Sequence, residues 1–414
     1  MDIPDDSRAA SRLPRAVGAS VLVAALLGAP PLVAQEEGVP VRVGEAELYP
    51  SLRVDYVRDT NAFLAPDDPR ETDGVVVRPE LEAVADRRLL ELRAAYRGEF
   101  ASYDEDALDF ADHAVELGAV AELATRRRVS GELYYARRHE RLGTNHTLGR
   151  GESFDEQVVF DFFGADGSFT YGAQGARGNV TGGLYVERVT YATLDEVTDG
   201  DDYTMIRPYG VFTYRLSPDT RALAELRFGR FTFGDADEDR NDVTAFLGIA
   251  LAATGKTSGA VRIGNTFSDY AAEARDSDST FVTEIDLAYL PRPYARLSLT
   301  LYRELDDLEG IPDAADLPQA IETRAQLNWN HEWSGRVSSL AFARATSVER
   351  GCPSRDTLTS SVGIELSIQL RRWLSIGFGG TTSAREASEC DDAPDALDID
   401  FEGQTYGAHV RATL

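Results

Sequence analysis

The chain is poor in long hydrophobic runs. Past residue 34 no stretch approaches the ~18 uninterrupted apolar residues of a membrane-crossing helix, which excludes such a helix there. Cysteine is nearly absent. Cys352 and Cys390 are the only two, and neither has a CxxC partner or a nearby histidine pair, which argues against a zinc site. Lysine is scarcer still: Lys256 stands alone among 42 lysines and arginines. That skew carries no function. Positive charge is outweighed, with a formal net charge of −28, so nucleic acid is not an expected partner. The histidines are His113, His139, His146, His331 and His409. None lies near a GxSxG or other nucleophile motif, so no enzyme, no catalytic residue and no cofactor are expected. Parity turns His331 and His409 toward lipid or the periplasmic end and leaves His139 and His146 in a loop.

The N-terminus has the features of an export signal. Arg8, Arg12 and Arg15 precede a short apolar core from Ala16 to Ala29, which Pro30 and Pro31 end. Ala34 is the expected last residue before cleavage. The alternative is an N-terminal anchor, for which the apolar run is short. The expected organisation is a signal peptide at 1–34, a short periplasmic segment at 35–47 and a membrane barrel at 48–414.

What the chain has in quantity is period-two alternation. Leu358, Ser360, Val362, Ile364, Leu366, Ile368 and Leu370 share one face, and Thr359, Ser361, Gly363, Glu365, Ser367 and Gln369 the other. Segments at 321–333, 295–301 and 90–100 repeat the pattern. They run about 10–14 residues, the length of a tilted strand crossing a bilayer. Short turns alternate with long polar connections. About 18 strands result, with 16 as the alternative, near 48–58, 75–85, 89–102, 112–123, 128–138, 154–163, 180–192, 203–216, 221–233, 242–253, 258–267, 280–290, 294–305, 320–333, 336–345, 357–370, 373–384 and 399–414. Glycine-rich Gly164 to Asn179 interrupts the rhythm as a long turn, an extra hairpin or an insertion.

An open sheet edge in hydrocarbon leaves amides unpaired, so the strands must close. The expected fold is an all-β, antiparallel, up-and-down transmembrane barrel with short periplasmic turns and long acidic outer loops. A soluble β-helix or propeller would need a fixed short repeat, and none is present. Tyr49, Tyr214, Tyr289, Trp329 and Trp333 fall near the periplasmic ends, as an interfacial girdle requires. About 18 strands enclose water. Charges on the polar faces then line a lumen: Arg53, Arg93, Arg97, Arg227, Arg262, Glu284, Asp286, Arg296, Glu322, Arg324 and Glu365. The arginines either line a path for anionic solutes or pair with lumen acids and brace the wall.

Four loop clusters are strongly acidic: Asp104, Glu105, Asp106 and Asp109; Asp195, Glu196, Asp199, Asp201 and Asp202; Asp235, Asp237, Glu238 and Asp239; and Asp391, Asp392, Asp395, Asp398 and Asp400. None matches the calcium-loop spacing, so a solvated acidic surface is the expected reading and no metal site is assigned. Cys352 and Cys390 fall in neighbouring outer loops separated by one hairpin, and a disulfide is expected between them.

The opening LYPSLRVDYVRDTNAF, Leu48 to Phe63, resembles the first strand and loop of the putative β-barrel porin 2 family. That family shows a proline, alternating apolar residues, a tyrosine and an Asp-Asn-like pair before an apolar residue. Here Thr60 stands between Asp59 and Asn61. The YRLSPDTR turn at 214–221 has the family's turn style, echoed at 289–297. The resemblance implies an outer-membrane barrel linked with exopolysaccharide gene clusters, and it supplies no catalytic residue.

The expected function is therefore a water-filled outer-membrane channel of a Gram-negative bacterium, passing polysaccharide or a small solute. The alternative is a structural or surface-interaction barrel whose acidic loops meet cations or matrix. Expected partners are outer-membrane lipid, lipopolysaccharide and, during biogenesis, the barrel assembly machinery.

Overall fold

The computed structural model describes residues 40–173, 175–234, 239–251, 256–271, 277–306, 320–350, 355–388 and 398–413. The expected signal peptide, Cys352 and Cys390 lie outside the described residues.

The alternating segments form antiparallel strands. The first are β1 (Val41–Val43), β2 (Ala46–Asp59), β3 (Thr72–Arg87), β4 (Leu90–Tyr103), β5 (Phe110–Ala124) and β6 (Arg127–Glu140). Next come β7 (Val158–Tyr171), β8 (Gly178–Tyr191), β9 (Tyr203–Ser217), β10 (Thr220–Phe233), β11 (Arg240–Leu251), β12 (Thr257–Tyr270) and β13 (Asp278–Arg292). The last are β14 (Ala295–Asp306), β15 (Ala320–Ser334), β16 (Val337–Glu349), β17 (Thr357–Arg371), β18 (Leu374–Ala387) and β19 (Phe401–Thr413). Each strand from β2 onward pairs with the next, and β19 pairs with β2 from Thr405↔Asp59 to Thr413↔Ser51. Eighteen strands thus close into a barrel, β2 to β19. β1 is an extra: it folds back on the start of β2 through Val41↔Leu48 and Val43↔Ala46. Gly44, at φ +65°, makes that tight turn, a conformation costly for a side-chain-bearing residue. The barrel wall therefore begins at Ala46, and part of the 35–47 segment is a hairpin.

Alternation puts two unlike surfaces back to back. Leu52, Val54 and Tyr56 of β2 are exposed outward, while Arg53, Asp55 and Val57 between them are covered. Leu358, Val362 and Ile364 of β17 are likewise exposed. In water such a continuous apolar belt would drive aggregation; in a bilayer it is the solvent-matched surface. At one end β3–β4, β5–β6, β9–β10, β13–β14, β15–β16 and β17–β18 are joined by two-residue turns. Long connections gather at the other end.

Five of the loop aspartates have a structural task at that long-loop end. Each immediately precedes a strand and accepts the backbone N–H of the last residue of the preceding one or, at Arg350, of the residue just after it. The pairs are Asp109 with Tyr103 (2.7 Å), Asp202 with Tyr191 (2.7 Å), Asp239 with Phe233 (2.8 Å), Asp356 with Arg350 (2.7 Å) and Asp400 with Ala387 (2.7 Å). Each carboxylate occupies an amide that the ladder no longer reaches.

Four expectations are corrected. The Gly164–Asn179 stretch does not interrupt the barrel. β7 runs through it to Tyr171, and only 172–177 turn. Gly164 sits inside the strand, with the Phe162 ring and the Tyr185 hydroxyl close to where a side chain would begin. His139 belongs to β6 rather than a loop, stacked on Phe110 at 3.8 Å between ring centres and 3.0 Å from Asp112. His409 faces the interior, 3.8 Å from Glu365, on the face opposite exposed Tyr406 and Val410. Tyr49 shares the inward parity of Arg53, and its hydroxyl donates to Glu47 at 3.1 Å, so it leaves the girdle. Tyr214, Tyr289 and Trp333 are exposed outward, and Trp329 and His331 pack beside Trp333.

Candidate functional site

Two inward walls of different chemistry face each other across the barrel. The charged wall occupies β2–β4 and β10–β19. Arg53 lies 2.9 Å from Asp55 and 3.3 Å from Glu365, which comes from β17. Arg78 joins Asp55 (2.5 Å) to Glu99 (2.7 Å). Arg93 pairs with Glu82 at 3.3 Å, and Arg97, about half exposed, with Glu116 at 3.2 Å. Farther round, Arg227 bridges Glu225 (2.6 Å) and Glu284 (2.7 Å), and its guanidinium lies over Phe246. Arg262 meets the same two carboxylates. Asp286 accepts from the Tyr302 hydroxyl at 2.6 Å, and Arg324 pairs with Glu322 at 3.2 Å. Arg296 takes the same inward face, opposite Asn330. A cavity of about 300 Å³ opens there, lined among others by Arg227, Glu284, Asp286, Tyr302, Glu322 and Arg324. Charges half-withdrawn from water, such as those of Arg78, Arg227 and Arg262, are tolerable because opposite partners stand beside them.

The other wall, on β5–β10, was not foreseen. Phe160, Phe162, Tyr185, Tyr203, Met205 and Phe231 point inward and pack into a dry cluster. Glu187 lies fully buried among them, accepting from Tyr185 (2.8 Å) and Tyr203 (2.5 Å). A trace was readable: Val158 to Phe163 places aromatics at Phe160 and Phe162 on the face that elsewhere carries polar residues.

At the long-loop end the connections 60–71 and 141–157 pack together. Phe63, Ala62 and Leu142 form a buried cluster there with Leu108 of the connection between β4 and β5. The Asn61 amide donates to Ala65 O (2.8 Å) and Glu402 O (3.0 Å) and accepts from Ala65 N (2.9 Å). Arg141 reaches back to Asp59 at 2.8 Å and Asn61 O at 2.9 Å. The Asp59, Asn61 and Phe63 of the opening motif are thus the anchor of this packing. Loop 141–157 is held from both sides. Arg385 of β18 donates to Gly143 O at 3.2 Å. His146, fully buried, places Nδ1 2.8 Å from Glu140 and Nε2 2.7 Å from Asp201, and packs on Tyr191. With a carboxylate at each nitrogen, this ring is placed to fasten a loop rather than to activate a nucleophile. Among the described residues no three His, Cys, Asp or Glu side chains are grouped to hold a metal ion.

The sequence model of a family described as "Putative beta-barrel porin 2" matches residues 37–312. No curated protein sequence matches the chain. Several solved bacterial structures are similar in fold. OccK2 (OpdF) of Pseudomonas aeruginosa is 12% identical, with 90% of this chain and 99% of that one covered and a TM-score of 0.46. The siderophore receptor PiuA of Acinetobacter baumannii is 10% identical, with 91% and 82% covered and a TM-score of 0.46. The FrpB iron transporter of Neisseria meningitidis is 6% identical, with 88% and 81% covered and a TM-score of 0.42.

Proposed function

The chain belongs to the putative β-barrel porin 2 family, and from that premise we propose that it is a water-filled channel in the outer membrane of a Gram-negative bacterium. The observation that carries the reading is the closed wall with an apolar belt outside and a charged surface inside. Lipid accepts the first surface and only water or a polar solute accepts the second. The path follows the charged wall, along Arg53, Arg93, Arg97, Arg227, Arg262, Glu284, Asp286, Arg296, Glu322, Arg324 and Glu365. Their opposite charges are largely matched, and Tyr302, Thr300 and Gln326 stand beside them around the cavity. Such a mixture of donors and acceptors suits a hydroxyl-rich solute better than a small ion of one sign. An exported exopolysaccharide is the member of that class implied by the family resemblance. Planar-bilayer recording of the purified protein tests the channel: discrete conductance steps are expected, and their absence in repeated insertions would refute it.

The packed connections at the long-loop end favour a second reading, a closed barrel serving surface attachment without transport. It predicts silent insertions, with lipopolysaccharide or cations bound at the outer face. For the two cysteines we propose a disulfide. The residues framing them touch: Arg355 donates to Ser388 O at 2.7 Å, and Asp356 N to Ser388 Oγ at 2.9 Å. Alkylation with and without prior reduction checks it; two thiols reactive before reduction would end the idea.

A further inference from the structure

At the short-turn end the inward face carries a group of arginines that neither wall accounts for. Arg215 of β9 and Arg221 of β10 are direct register partners. Like charges placed opposite each other across a strand pair repel. Arg128 of β6 lies on the same inward side, and the charges acting on Arg221 are those of Arg215 and Arg128. Arg128 itself lies 4.0 Å from Glu122. Arg215 Nη2 donates to Ala176 O at 2.8 Å, a neutral acceptor. Among the described residues no carboxylate lies within ion-pair distance of Arg215. In a chain of net charge −28, a cluster of this sign is an exception.

Two buried polar atoms on the same face also lack a protein partner. They are Arg215 Nε and the hydroxyl of Thr213, whose residue is 4% exposed. Thr213 is two residues before Arg215 on β9, so its side chain shares the inward face, and it is opposite Asn179 in register. In the amide orientation that satisfies both its ends, Asn179 accepts from Arg221 Nη1 at 3.1 Å and donates to Gly178 O and Ala173 O. Gly172 permits this placement: at φ +133° it sits where any side chain would strike the Asn179 amide. The turn 172–177 therefore fixes Asn179, and Asn179 orients Arg221. Buried donors without partners are rare in folded proteins and ask for an occupant.

We propose that Arg128, Arg215, Arg221 and Thr213 form an oxyanion-binding site at the periplasmic end of the lumen. Its ligand is a carboxylate or phosphate group, free or carried by an acidic sugar. Guanidinium forks and a hydroxyl are the donor set that such groups take. The inward direction of these side chains sets the ligand apart from a lipid headgroup on the barrel's outer surface. The site deepens the channel reading, since it stands where a solute from the periplasm would first meet the wall, but its binding chemistry does not require conduction.

The test is equilibrium binding to the full-length mature protein in a zwitterionic detergent. Inorganic phosphate and, separately, glucuronate are titrated calorimetrically at low salt, against wild type, Arg215→Gln and, as a control at an exposed arginine of the outer face, Arg58→Gln. Saturable binding is expected for wild type and Arg58→Gln. Arg215→Gln should weaken it roughly ten- to a hundredfold, the worth of a charge-assisted hydrogen bond. Phosphate binding without glucuronate binding would assign the site to a free anion, and binding of both to an anionic sugar. No saturable binding of either, or equal binding by Arg215→Gln, would overturn the site. Because the measurement needs no current, its failure is distinct from the failure of the channel.

Discussion

The inward wall on β5–β10 and the inward wall on β10–β19 obey the same alternation, yet one is dry and the other charged. On the first, Phe160, Phe162, Met205 and Phe231 are shielded by one another, and the carboxylate buried among them, Glu187, is enclosed by two tyrosine hydroxyls. On the second, Arg227, Arg262, Glu225 and Glu284 neutralise each other beside a cavity. Inward in a wide barrel therefore does not mean wet. The aromatic wall fills part of the lumen and supports the loops at the mouth, since His146 packs on Tyr191, which packs on Phe160. The cavity lies against the charged wall.

The difference predicts opposite responses to substitution. The largest effect on stability should come from Phe162→Ala, at about 3–5 kcal/mol, because a dry cluster cannot refill the void. Urea unfolding in detergent or lipid vesicles measures it. A loss no greater than that of a surface change would show the cluster to be wet. His146→Ala should cost about 1–3 kcal/mol by leaving Glu140 and Asp201 without their shared donor. It should also speed tryptic cleavage at Arg141 and Arg150 and raise conductance, and an unchanged digest would disconnect the clamp from the loop.

On the charged wall, Glu284→Gln changes current more than stability. It leaves Arg227 and Arg262 in excess over the acids they share. The reversal potential in a salt gradient should move toward anion selectivity, and a move toward cations would place the path elsewhere. Arg97→Gln should be nearly silent, ~0–1 kcal/mol, because its pair with Glu116 is open to solvent.

Much of the barrel was legible because its physics is local. Strands expected at about 203–216, 320–333 and 357–370 are observed as Tyr203–Ser217, Ala320–Ser334 and Thr357–Arg371. Where glycine was taken for punctuation the boundaries failed, because Gly164 lies in extended strand beside Phe162 and Tyr185 rather than in a turn. The strand-end aspartates had a readable sign: each stands one residue before a strand, at Asp109, Asp202, Asp239, Asp356 and Asp400. The mouth was not legible. Its polar loop 141–157 is ordered by Asp59, Asp201 and Arg385, far apart in the chain. Nor could alternation tell an aromatic turned toward water from one packed on its neighbours.

The central claim is that three surfaces coexist: lipid-facing, dry inward and wet inward. Single cysteines at Val362, Ala136 and Thr300, in a protein with Cys352 and Cys390 changed to serine, separate them by reaction with a charged, membrane-impermeant thiol reagent in proteoliposomes. The account predicts rapid labelling at Thr300 and protection at Ala136 and Val362. Labelling of Ala136 as fast as Thr300 would mean a lumen wet on every side, and protection of Thr300 would mean no aqueous path along the charged wall.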